Sequence, residues 1–338
     1  MTNLNIDQRT DNILSPKSST INLDVFRIEI IGDSRMYANG NQQCKVEIQA
    51  RKLVYNAVTS QWEKKDLSNN EKNSIKVVSY SSNLNSSIPT GWYCDNDKNE
   101  FDQGIISSRM ESDVDSEIAN IETQFDTSSS ENRSDNRSFE VINRYIRCSS
   151  NVPIQSQKLM AVIKLDDGTT ETTHSVANQS SVVITPVTAI KVGVKDLLDH
   201  RREDSYSKDK IDVDIYYWKL PYNLTVRNEE ILNTFYSNSK LCYFVDIYSS
   251  KTSFKSAVIR KDATYITPYE IYEKTNNHDK IWLVSDYRHL RALRMCFNTG
   301  ANGGDIRLNW NISDNFGCVH KFIIKSKDNY NLIELLDA

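Results

Sequence analysis

The sequence predicts an all-β protein made of two antiparallel β-sandwich modules, with a disordered amino-terminal tail and a long surface insertion. Three observations predict it. Short apolar runs alternate with polar residues at a period of two, the mark of a strand with one buried and one wet face. In Cys44-Lys45-Val46-Glu47-Ile48-Gln49-Ala50, the residues Cys44, Val46, Ile48 and Ala50 fall on one side, and Lys45, Glu47 and Gln49 on the other. The runs are closed by Asn, Asp, Gly and Ser, the residues of turns. Helical spacing is confined to a few short stretches. At 338 residues the chain exceeds one typical domain, and its 38% hydrophobic content and mean hydropathy of −0.56 suit several thin cores.

Residues 1–20 are polar and aperiodic, and are predicted as a flexible tail. The first module is predicted over 21–190. It opens with a strand in which Phe26, Ile28 and Ile30 alternate against Val25, Arg27 and Glu29. Asn39-Gly40 predicts a type I′ turn, whose central residues need positive φ, leading directly into the 44–50 strand. Further strands are predicted over 75–80, 142–148, 158–165 and 181–185. Asp166-Asp167-Gly168 predicts a tight turn into the strand-prone 169–173. Between about 107 and 138 the chain is rich in Ser, Asp and Glu and too poor in apolar residues to offset its ordering entropy. This is the predicted insertion, with one helical spacing inside it over 113–125 (Val114, Ile118, Ile121, Phe125).

The second module is predicted over 191–338 and is richer in aromatics. Its strands are Ile211-Asp212-Val213-Asp214-Ile215-Tyr216-Tyr217-Trp218, then 241–248, 291–297, 305–312 and 318–325. Large aromatic side chains on half-buried strands suit a two-sheet core, with Tyr217 on the face of Ile211, Val213 and Ile215. Short helices are predicted over 194–200 and 229–236.

The strand, the Tyr37-Ala38-Asn39-Gly40 turn and the alternating Cys44, Val46 and Ile48 together resemble the opening hairpin of bacterial immunoglobulin-like modules of the invasin and intimin type. The resemblance covers residues 27–50. A Gly-Asn-Pro-type turn expected after it is replaced by Tyr55-Asn56-Ala57. What the resemblance implies is an immunoglobulin-like sandwich for both modules.

Composition excludes several functions. With 41 basic and 45 acidic residues and a net charge of −4, and without a run of five Lys or Arg, no nucleic-acid partner is expected. No stretch nears the roughly 20 apolar residues that cross a bilayer, so no transmembrane segment is expected. The first ten residues carry neither a basic leader nor an apolar signal core. The expectation is a soluble protein, cytoplasmic or exported without a cleaved signal. The six cysteines lie far apart without Cys-x-x-Cys spacing, and are expected as reduced, buried thiols.

Two groups are candidate sites. Asp95, Asp97, Asn99 and Asp102 place oxygens at alternating positions of one loop, the chemistry of a hard cation such as calcium. Glu100 replaces the Gly of the calcium-loop turn, and Ile106 stands where a bidentate Glu is needed, so a solvated Asx-rich turn is the competing reading. Tyr265, Tyr269 and Tyr272, near Pro268, combine apolar area with polar tips and are expected at a binding surface. Gly300-Ala301-Asn302-Gly303-Gly304-Asp305 is followed by a strand rather than a helix, and reads as a hairpin turn instead of a phosphate loop. The five histidines lack metal or protease spacing, no nucleophile elbow occurs, and one local trio, Tyr287-Arg288-His289 beside Asp286, does not specify catalysis. No cofactor beyond the possible calcium is expected. The function the sequence supports is a non-enzymatic binding or structural protein of bacterial or phage origin, presenting loops for protein or glycan contact or self-association. Two alternatives stand beside it: a secreted effector or toxin whose carboxy-terminal module engages a glycan or membrane surface, and an enzyme whose residues converge from distant strands.

Overall fold

The computed structural model describes residues 20–106, 139–175, 179–208, 210–248, 253–297 and 306–338. The predicted insertion, the glycine-rich turn at 300–305 and all but the last residue of the predicted tail lie outside the described residues. What is described is nearly all β.

The first half contributes β1 (Ile21–Ile31), β2 (Arg35–Ala38), β3 (Cys44–Asn56), β4 (Gln61–Lys65), a short helix α1 (Asn69–Ser74), β5 (Lys76–Ser79), β6 (Trp92–Asp95), β7 (Glu140–Cys148), β8 (Gln157–Lys164), β9 (Thr170–Thr172) and β10 (Val182–Thr188). One sheet runs β1-β3-β7-β6 with β4 also on β3, and the other runs β2-β10-β8-β5 with β9 on β8. The alternation seen in the sequence faces the space between them. Phe26, Ile28, Val46, Ile48 and Ile146 from one sheet meet Leu159, Ala161, Ile163 and Ile184 from the other. Burying each such side chain contributes about 1.5–3 kcal/mol. One end is closed by α1. Ser68 and Glu71 form its capping box, and Glu71, fully buried, accepts from Lys52 Nζ at 2.8 Å and from the Asp166 N–H at 3.1 Å.

The predicted Asn39-Gly40 hairpin is not what the chain forms. β1 pairs antiparallel with β3 (Ile28 opposite Ile48), but the chain between them leaves for the other sheet, where β2 runs parallel to β10. Asn39 closes the turn with its side chain, accepting from the Asn41 and Gln42 N–H groups at 2.9 and 2.8 Å, while Gly40 takes φ +83°. Local turn chemistry marked the bend but not the partner, because pairing is decided by distant strands. The Asp166-Asp167-Gly168 turn joins β8 to β9, with Gly168 at φ +88°.

The second half contributes β11 (Asp199–Lys208), β12 (Ile211–Lys219), β13 (Val226–Leu232), β14 (Tyr236–Ser237), β15 (Leu241–Tyr248), β16 (Ser253–Ile259), β17 (Tyr265–Ile266), a one-turn helix α2 (Pro268–Ile271), β18 (Ile281–Trp282), β19 (His289–Phe297), β20 (Arg307–Asp314), β21 (Val319–Lys327) and β22 (Leu332–Asp337). A six-stranded sheet, β11-β12-β19-β16-β15-β14, packs on a four-stranded sheet, β13-β20-β21-β22, through Trp218, Phe244, Leu290, Trp310 and Phe322. Both predicted helices are corrected here. Val194–Asp196 is a single 3₁₀ turn followed by β11, and the first half of 229–236 lies in β13, whose pairing with β20 overrides helical spacing in so polar a stretch.

The six-stranded sheet is apolar on both faces. Its second face carries Ile211, Val213, Ile215, Tyr217, Leu293 and Met295, and Ile266, Ile271, Tyr272, Ile281 and Leu283 pack over it. The second half therefore has a third layer that a two-sheet reading does not anticipate.

All six cysteines are free thiols, five of them buried. Burial pushes Cys44 up to about 12 and Cys148 up to about 11 from an ordinary 9.0. A folded pKa raised in this way supports stability fully below pH 9 and loses that support as pH climbs toward those values. The native protein at pH 8 is expected to react slowly with an aromatic disulfide reagent at its buried thiols, and fast at all six once denaturant is added. Six fast thiols without denaturant would contradict this packing.

Candidate functional site

The third layer begins where β16 ends and returns to β19. It holds little regular structure, so its carbonyls need donors from elsewhere. Arg291 supplies them. This buried guanidinium donates from Nη1 to the Ala263 and Val284 carbonyls at 2.9 and 3.0 Å, and from Nη2 to the Arg260 and Lys261 carbonyls at 2.7 and 2.8 Å. The layer is closed further by the capping box of α2. Thr267 Oγ1 accepts the Glu270 N–H at 3.1 Å, and Glu270 Oε2 accepts the Thr267 N–H at 2.8 Å. Lys240 Nζ reaches Glu270 Oε1 at 2.7 Å, and the Tyr243 hydroxyl donates to the Glu270 carbonyl at 2.9 Å. Burial pushes the Tyr243 phenol far up, so it remains a donor.

An aromatic corner stands on this support. β17 and β18 pair Tyr265 opposite Trp282, with ring centroids 5.6 Å apart in an edge arrangement. Trp282 is 67% exposed. Lys280 Nζ lies 4.4 Å from the Tyr265 ring centre and 5.2 Å from that of Trp282, and Lys240 Nζ lies 3.7 Å from Tyr265. Beside the corner opens a cleft of about 760 Å³ between β18 and β11, the edge strand of its sheet. Glu203, Asp204, Ser205, Lys208, Asp279 and Trp282 line it. β11 is bulged between Asp204 and Tyr206, which re-aims its side chains locally. The Tyr206 hydroxyl is held by Asn277 Nδ2 at 2.7 Å. The arrangement offers a flat apolar ring, two ammonium donors, the carboxylates of Glu203 and Asp279 and a hydroxyl around one open cleft.

The three predicted surface tyrosines separate. Tyr265 belongs to the corner. Tyr269 is exposed and lies against His278, ring centres 4.5 Å apart. Tyr272 is 8% exposed and packs on Phe297 inside the third-layer core, so it is not part of the surface expected for it. The structure adds Trp282, Lys280, Glu203, Asp204 and Asp279, which sequence reasoning missed because they converge from segments some seventy residues apart.

The Asp-rich loop lies elsewhere, against the second pair of sheets. Asp95 accepts from Arg147 Nε at 2.8 Å and from Gln43 Nε2 at 2.9 Å. The Asp97 carbonyl accepts from Gln43 at 3.2 Å, and Asn99 donates to the Asn41 carbonyl at 2.6 Å. Asp102 faces the other half of the molecule. Its Oδ2 accepts from Asn315 Nδ2 at 2.8 Å, its N–H donates to the Asn315 carbonyl at 2.7 Å, and Arg227 lies at 3.4 Å. Around it Asn39 and Asn41 donate to the Phe316 and Gly317 carbonyls at 3.0 and 2.8 Å, and Tyr37 meets Phe316 edge-on at 5.8 Å. The 314–318 turn is held from within by Asp314, whose Oδ2 bonds His320 Nε2 at 3.0 Å. His320 Nδ1 accepts the Val192 N–H at 3.0 Å, so Nε2 carries the proton. A second acidic group, Asp204, Asp212 and Asp214, converges within 4.8 Å. Arg294 bonds both Asp212 and Asp214, and Arg202 reaches Asp214 at 2.5 Å, so two of the three carboxylates belong to an ion-pair network at the end of the six-stranded sheet.

Among solved structures the chain is similar to the C-terminal domain of the Streptococcus agalactiae AgI/II polypeptide BspA, at 10% identity over 93% of this chain and 100% of that one, with a TM-score of 0.24. Two further BspA C-terminal chains, one wild type and one mutant, match at 8% and 11% identity over 92% and 93% of this chain and 100% and 98% of theirs, both with TM-scores of 0.21. Likeness at this level carries no argument about function. No family model and no curated protein matches the chain.

Gly317 tests the contact between the halves. It has φ +80°, and an added Cβ would lie 2.6 Å from Asn41 Cβ and 3.2 Å from the Phe101 ring. Gly317→Ala is expected to cost about 1–3 kcal/mol, and to separate a single thermal unfolding transition into two. An unchanged transition would show that the 314–318 turn does not join the halves.

Proposed function

We propose that this chain is a non-enzymatic binding protein whose carboxy-terminal half holds a glycan at the Trp282 corner. The observation that carries the reading is the exposed Trp282 ring, braced by Tyr265 and flanked by Lys280, at the mouth of a cleft lined by Glu203, Asp204 and Asp279. A sugar ring presents an apolar C–H face and a rim of hydroxyls. The indole takes the first, since aromatic side chains supply large rigid contact area. Carboxylates accept hydrogen bonds from the hydroxyls and ammonium groups donate to them, so a mixed rim satisfies both roles of each hydroxyl. The openness of the cleft suits a segment of a longer chain laid across it.

A glycan array probed with the full chain, followed by calorimetric titration of the best hit, tests this. Trp282→Ala is expected to weaken binding by about tenfold or more, equivalent to ~1.4 kcal/mol or more. Tyr272→Phe is expected to leave binding unchanged. An array without hits, or affinity indifferent to Trp282→Ala, would overturn the assignment.

A further inference from the structure

The halves touch where the 39–42 turn meets the 314–318 turn, and that contact is built on a chemically labile pair, independent of the glycan reading. In Asn39-Gly40 the Gly40 backbone nitrogen can attack the Asn39 side-chain amide, since glycine has no Cβ to hinder the approach. The fold ties down both reacting groups. The Gly40 N–H donates to the Cys148 carbonyl at 2.8 Å, within the first half. Asn39 Nδ2 donates across the contact, to the Phe316 carbonyl at 3.0 Å and to Cys318 Sγ at 3.3 Å.

Asn39 Oδ1 accepts the Asn41 and Gln42 N–H groups at 2.9 and 2.8 Å. Two donors on one amide oxygen stabilise the negative charge that an attack on Cγ places there, as in an oxyanion hole. The turn therefore favours the reaction at its carbonyl, while the other half holds its leaving group. Closing a ring draws Cγ toward the Gly40 nitrogen and takes Nδ2 away from Phe316 and Cys318, so the closed contact opposes it.

We propose that Asn39 is a deamidation site gated by the contact between the halves, and that the reaction makes their separation irreversible. Hydroxide takes the proton of the Gly40 N–H, and the nitrogen attacks Asn39 Cγ. The new N–Cγ bond closes a five-membered succinimide as the Cγ–Nδ2 bond breaks. Nδ2 leaves as ammonia, with a proton from water that restores the hydroxide. Water then opens the ring at either carbonyl, leaving aspartate or isoaspartate at position 39. In the aspartate an oxygen replaces the donor and meets the Phe316 carbonyl with no proton between them. In the isoaspartate the backbone runs through the side-chain methylene, which moves the Gly40 N–H off the Cys148 carbonyl. The rate follows the fraction of molecules in which the contact is open, because local opening precedes the chemistry.

Peptide mapping by mass spectrometry of the full chain held at pH 8 tests the proposal. Deamidation at Asn39 is expected to be at least about tenfold slower in the native chain than in denaturant. Two variants open the contact without touching the reacting pair. Gly317→Ala crowds Asn41 and Phe101, and Asn41→Ala removes the 2.8 Å bond from Asn41 Nδ2 to the Gly317 carbonyl. Each is expected to raise the native rate by about tenfold. Asn39→Asp, one product made directly, is expected to speed amide exchange in 314–318 by about tenfold while β3 and β7 keep their protection. Circular dichroism of each variant should match the parent. A native rate equal to that in denaturant would overturn the proposal. So would a rate unmoved by both opening variants, or 314–318 exchange in Asn39→Asp equal to the parent's.

Discussion

One buried guanidinium decides whether the six-stranded sheet can keep both faces dry. β19 is buried over nearly its whole length, and β12 has apolar residues on both sides. A sheet with two apolar faces needs cover on each. The four-stranded sheet covers the first. The second is covered by a segment with two short strands, one α-helical turn, one 3₁₀ turn and irregular backbone, several of whose buried carbonyls need side-chain donors. Arg291 answers four of them with one side chain. Burial lowers its pKa, the expected direction for a cation taken out of water, yet guanidinium titrates so high that the charge stays.

The candidate binding surface follows from that frame. Tyr265 and Trp282 belong to the covering segment, so their positions relative to the β11 edge depend on how firmly the cover is pinned. A preformed corner loses little freedom when a ligand arrives, which favours affinity from few contacts. Between the halves, the Asp-rich loop and the 314–318 turn meet through side-chain bonds to carbonyls, and Asp314 with His320 ties that turn to the chain near Val192.

Much of the architecture was legible because period-two alternation is a local property. Phe26, Ile28, Val46, Ile48 and Ile146 are buried as their spacing predicts. Tyr217 likewise faces the core with Ile211, Val213 and Ile215. What was not legible is non-local. Asn39-Gly40 marked a bend, but only β10 explains why the chain changes sheets there. The 229–236 stretch has helical spacing by itself, and β13 forms because β20 offers a ladder. Tyr265 and Tyr272 are indistinguishable by composition, and the fold sends one outward and one into the core. Trp282 carried no local signal, since Tyr265 and the cleft beside β11 meet it only in the fold. The Asp95–Asp102 series was visible as a run of oxygens, whereas its engagement by Arg147, Gln43, Asn315 and Arg227 required the fold.

Hydrogen exchange on the full chain with Arg291→Met is the most direct test of this account. Removing the donors while keeping an apolar stem takes the Arg291 bond from the Ala263, Val284 and Lys261 carbonyls, while the Arg260 carbonyl keeps the Ala263 N–H at 3.0 Å, a loss of about 3–5 kcal/mol confined to the cover. Amides in 260–284 are predicted to exchange at least about a hundredfold faster, while β20, β21 and β22 keep their protection. Unchanged protection in 260–284 would contradict the account, because the cover would then be held by something other than Arg291.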